Sequence, residues 1–156
     1  MRIIGAFIII VSAVTVALEL IKRIDASIGS VSSLRMILEH TKNMIECYSL
    51  PVGEIFIRLD LSLLKECGFL KENAPRDFSE LAENSNIPDL EAKELLLAFA
   101  KDFGRSYRAD ELSRCSFFLE KMRAREQKLI KESAKSKKVI FTVAICSALA
   151  LIILLI

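Results

Sequence analysis

Few groups in this chain have a type or spacing that could support chemistry: one imidazole, four thiols, some scattered carboxylates and a run of cations. His40 is the single histidine, and no cysteine or carboxylate stands at metal-ligand spacing from it. It lies beside an apolar helical stripe, which suits a structural or surface histidine. Cys47, Cys67, Cys115 and Cys146 form no CxxC pair, a usage that fits a reduced compartment better than a disulfide scaffold. The phosphate-cradling GxxxxGK(S/T) and GxGxxG loops and the GxSxG elbow are missing. Glu39, Glu46, Glu91 and Glu94 fall at helix-surface spacing among lysines and arginines, where a solvated face accounts for them. The expectation is therefore a non-enzymatic protein with no catalytic residue, no metal, no cofactor and no small-molecule substrate.

The cations are more informative. Between 121 and 138 there are eight of them (Lys121, Arg123, Arg125, Lys128, Lys131, Lys135, Lys137, Lys138) against Glu126 and Glu132. A nucleic-acid patch would carry interleaved aromatics, and this run has none. Anionic lipid explains it better, with Lys128, Lys131, Lys135, Lys137 and Lys138 as the membrane-proximal basic groups.

The chain that positions these groups has 156 residues, 53% hydrophobic and 27% charged. Such apolarity beside such charge implies segregation and excludes a wholly soluble protein. The apolar excess does segregate: Ile3 to Leu18 and Val139 to Ile156 contain no charge. As a helix, the second run spans roughly 27 Å, about the thickness of a bilayer core. Residues 139–156 are thus expected to be a C-terminal transmembrane helix. Residues 1–21 are read as an N-terminal one, with a cleaved signal peptide as the alternative; retention is favoured because Val16-Ala17-Leu18 passes straight into a charged amphipathic stretch. Glu19 can pair with Lys22 or Arg23 at the interface. The eight-to-two basic flank before Val139 places the intervening domain, 22–138, in the cytoplasm.

That domain reads as all helix. Ile28, Val31, Leu34, Leu38, Thr41, Ile45 and Tyr48 recur at steps of three and four, as narrow a stripe as a coiled-coil seam. After Ser49-Leu50-Pro51 the pattern restarts through Val52, Ile55, Phe56, Leu59 and Leu63 until Gly68, a tight helical hairpin. Asp77-Phe-Ser-Glu80 signals a short helix ending near Asn84, and Asn86-Ile-Pro-Asp89 opens another that Gly104 stops. A last helix from about Tyr107 meets no proline or glycine and runs on toward the membrane. The predicted fold is all-α, a compact antiparallel helical bundle flanked by N- and C-terminal transmembrane helices.

Over essentially its whole length the chain resembles the stage III sporulation protein AB family. Three stretches carry the likeness: Arg2-Ile-Ile-Gly5 with the apolar run to Leu20-Ile-Lys-Arg23; Ile45 followed by Tyr48-Ser-Leu-Pro51 and Glu54 to Leu59; and Phe103-Gly104-Arg105-Ser106, which is similar to the family's Leu-Gly-x-Ser-Asp turn. Tyr107 replaces the usual Asp, leaving Ser106 or Asp110 to satisfy the first-turn amides.

The resemblance implies a platform-like component of the channel complex between mother cell and forespore, similar to the inner-membrane platform protein of type II secretion and type IV pilus systems. It also implies a place in the mother-cell membrane around the forespore. The partners it implies are the complex's cytoplasmic ATPase, the stage III sporulation AA protein, and other membrane components. Two turns are the expected partner-binding surface: Leu50, Pro51, Glu54 and Arg58 on one, Phe103, Gly104, Arg105, Ser106 and Arg108 on the other. The alternative is a two-pass membrane adaptor or regulator unrelated to sporulation.

Overall fold

The computed structural model describes residues 2–48 and 52–155, and within them every extended element is a helix. The elements are α1 Arg2–Tyr48, α2 Val52–Ile57, α3 Leu61–Glu66, α4 Phe78–Glu83, α5 Leu90–Asp102 and α6 Arg108–Leu155. They divide into two compact units, Ser27–Lys128 and the pair Met1–Ala26 with Leu129–Ile156.

Short carboxylate side chains set the helix starts in the larger unit. Asp77 accepts from the Glu80 amide and Asp89 from the Ala92 amide, so α4 and α5 begin where the sequence places them. Glu80 returns a bond one residue earlier than a capping box requires, to the Arg76 amide at 2.9 Å. The hairpin's second arm is not one helix. Asp60 is extended and accepts from the Ser62 amide at 2.9 Å, which ends α2 and starts α3 afresh. Gly68 follows α3 at φ +96°, and a Cβ there would meet the Asn86 carbonyl oxygen at 2.6 Å. Only glycine fits that crossing, where Asn86 N–H donates to Gly68 C=O.

The core of this unit is aromatic at its centre. Phe78 stands edge-on to Phe56, Phe99 and Phe103, with ring centroids 4.7, 4.8 and 5.0 Å away. Such geometry adds about 0.5–1.5 kcal/mol per pair to the burial itself. On α1, Val31, Leu34, Leu38, Thr41 and Ile45 are buried, but so are Ile37, Ser30 and Ser33. The buried face is therefore wider than a seam. Its hydroxyls are satisfied: Ser30 donates to Cys67 C=O, Ser33 to Glu66, and Thr41 to Ile37 C=O. Arg35 binds Glu126 of α6 at 2.8 Å and Glu39 of its own helix, which Arg123 of α6 also reaches at 3.0 Å.

In the smaller unit, Asp25 takes the Lys137 ammonium at 2.6 Å. Ala17 and Ala148 are buried there, while many of the larger apolar side chains on both helices are left exposed. Among the described residues no helix is long and apolar enough to cross a membrane. The uncharged run Val139–Ile156 reaches its full length only with Ile156, which, like Met1, lies outside the described residues.

Arg125 grips Asp89 through two bonds, Nε to Oδ1 at 3.0 Å and a terminal nitrogen to Oδ2 at 2.6 Å, with little of either side chain exposed. The guanidinium holds the Asp89 carboxyl below its ordinary value, against the opposing effect of burial. A depressed folded pKa stabilises above the unfolded value, near 3.9, and that stability is lost as pH falls through the folded one. Asp89→Asn should lower the unfolding free energy at pH 7 by about 1–3 kcal/mol, and the gap to wild type should close below about pH 4. Denaturant unfolding followed by circular dichroism across that range checks both.

Candidate interaction surface

At one end of the larger unit, the last turn of α1 meets the first turn of α6. Backbone carbonyls at a helix C-terminus lack intrahelical donors and carry partial negative charge. Arg108 supplies both donors and charge, binding Ile45 C=O at 3.1 Å and also Glu46 C=O. One residue in α6 then fixes the turn between α5 and α6. Glu111 turns a single carboxylate oxygen to the amides of Gly104 at 3.1 Å and Ser106 at 3.0 Å. Arg114 ties the same turn from the other side, donating to Asp102 C=O at 2.6 Å and to Glu111 at 3.0 Å. Gly104, at φ +84°, lets the chain reverse there.

The result is a pinned loop that presents Arg105, Ser106 and Tyr107 outward. With Asp110 these three line an open concavity of about 440 Å³. Tyr107 is 87% exposed, which leaves its ring available to a second surface.

The residues expected at the two turns are placed differently from one another. Leu50 and Pro51 lie outside the described residues. Glu54 on α2 and Arg58, one residue past its end, are exposed and 3.9 Å apart, a loose ion pair. Phe103 is buried in the aromatic cluster, and Phe78 touches both it and Phe56 of α2. Gly104 serves the turn, Arg108 holds α1, and Arg105 and Ser106 are exposed. Ser106 and Asp110 are not the first-turn caps; the Tyr107 carbonyl takes the Asp110 and Glu111 amides. Glu111 and Arg114 are the organising pair that sequence reasoning missed. Their i, i+3 spacing is the one signal, and it looks like any solvated helical pair.

The membrane-proximal lysines also separate. Lys137 pairs with Asp25, whereas Lys128, Lys131, Lys135 and Lys138 are exposed. Elsewhere the reactive groups are quiet. Burial pushes the Cys115 thiol up to about 12, with the Glu111 charge adding to it, and burial likewise raises Cys67. Neither is a thiolate at neutral pH. Among the described residues no group of three His, Cys, Asp or Glu side chains could hold a metal ion.

Removing the Glu111 carboxylate should free the turn without unfolding the core. In Glu111→Ala, hydrogen exchange at the Gly104 and Ser106 amides should accelerate roughly tenfold or more, since each loses a charge-assisted bond. Exchange in the middle of α5 should be unchanged.

No curated protein and no solved structure matches the chain. The profile of one family, Stage III sporulation protein AB, matches residues 2–156. That span covers both units and the pinned turn, and the chain belongs to the stage III sporulation protein AB family.

Proposed function

We propose that this sporulation protein is a non-enzymatic membrane component of the mother cell–forespore channel complex, a platform-like protein that links the membrane channel to its cytoplasmic ATPase. The observation that carries the docking part is the pinned turn: Arg105, Ser106 and Tyr107 are held outward by Glu111 and Arg114. A preorganised loop lowers the entropy cost of binding, and exposed Arg and Tyr are the side chains that anchor interfaces. Glu54 on α2 and Arg58 just past its end extend the surface. The partner is the stage III sporulation AA ATPase, with other channel proteins at the membrane.

What supports the membrane part is the composition of the smaller unit. Val139, Val143, Ile145, Leu149 and Ile153 on α6, and Ile8 and Val16 on α1, are all more than half exposed. In water so large an apolar surface is unfavourable, whereas lipid tails cover it at no cost. Small residues Ala13, Ala17, Ala144 and Ala148 line the approach of the two helices, as in membrane pairs. On this reading residues 1–21 and 139–156 are the two spans. The domain is in the cytoplasm, against anionic lipid of the mother-cell membrane around the forespore.

Charge reversal tests the docking surface. Arg105→Glu with Arg58→Glu should weaken binding of the AA ATPase to the full chain by roughly tenfold or more, with far-UV circular dichroism unchanged. Equal affinity for wild type and variant would remove these turns from the interface. An ATPase that binds neither would favour an adaptor of another kind.

A further inference from the structure

Seven of the eight cations of 121–138 divide by what holds them; the eighth, Lys128, is exposed in the larger unit. Arg123 is paired with Glu39, Arg125 with Asp89 and Glu91, and Lys137 with Asp25. Lys121 lies over the Phe117 ring, 4.7 Å from its centroid. In the smaller unit, Lys131, Lys135 and Lys138 are exposed and enter no ion pair among the described residues. At 100° per residue these three fall within about 60° of one another on α6, while Lys137 points about 120° away, to where Asp25 receives it. Glu132, the nearest carboxylate in sequence, lies outside the stripe. The stripe stops one residue before the uncharged run that begins at Val139.

We infer that Lys131, Lys135 and Lys138 form a binding surface for anionic phospholipid headgroups, an inference that rests on the membrane reading above and gives it particular residues. Charge complementarity selects the occupant. Three ammonium groups in one row, without carboxylates to neutralise them, repel each other unless phosphates intervene. Their place next to the apolar run sets them at headgroup level, where long lysine side chains extend to phosphate. Lys22, exposed on α1 and three residues before Asp25, adds a cation to the same unit.

The test uses the full chain in mixed micelles of phosphatidylcholine and phosphatidylglycerol, with bound lipid counted by native mass spectrometry. Wild type should retain phosphatidylglycerol preferentially. The variant Lys131→Gln/Lys135→Gln/Lys138→Gln should lose that preference by roughly tenfold or more. A charge-matched control, Lys65→Gln/Lys93→Gln/Lys101→Gln, should keep it. No preference in wild type, or equal loss in both variants, overturns the inference while leaving the membrane reading intact. Release of the wild-type chain from cell membranes by alkaline carbonate would instead sink both.

Discussion

Everything in the larger unit depends on how α1 is fastened to α6. The two helices are far apart in sequence, so their pairing carries a large loop-closure cost that only specific contacts can offset. Arg35 and Glu126 bridge them at 2.8 Å, and Glu39 joins Arg35 to Arg123. At the far end Arg108 closes over the last carbonyls of α1. The short helices pack between the two. Phe78 fills the middle, and Ser30 and Ser33 hold the end of α3 against α1.

Much of this was legible, and the failures have physical reasons. Asp77 and Asp89 are readable as caps because each stands before an apolar run with its target amide three residues on. Gly104 is readable as a stop because a positive φ is costly for other residues. The break at Asp60 was hidden, since Glu54 to Asp60 also fits a continuous helical period and one aspartate decides against it. Ser30 and Ser33 look like solvated positions until α3 supplies acceptors. Arg125 reads as one more lipid-facing cation, yet its partner is 36 residues away in sequence. Pairings of that kind leave no periodic trace.

The same physics bears on function. The larger unit buries Cys67 and Cys115, exposes Cys47 and clamps its sharpest turn through Glu111 and Arg114, an arrangement that suits the docking role proposed for it. Glu111 is central to that proposal: one oxygen holds two amides, so the loop is ordered before any partner binds. The exposed valines and isoleucines of the smaller unit are what the proposed membrane placement rests on, while the larger unit carries the ion pairs.

The proposed link to a cytoplasmic ATPase stands or falls on which side of the membrane the larger unit occupies. Cys67 and Cys115 are fully buried and would not report it, but Cys47 is exposed near the end of α1. A full-length chain retaining only Cys47, expressed in a bacterium, can be treated with a membrane-impermeant maleimide before and after permeabilisation. Labelling only after permeabilisation is the predicted result and puts the unit beside the ATPase. Labelling of intact cells would put it outside and contradict the account.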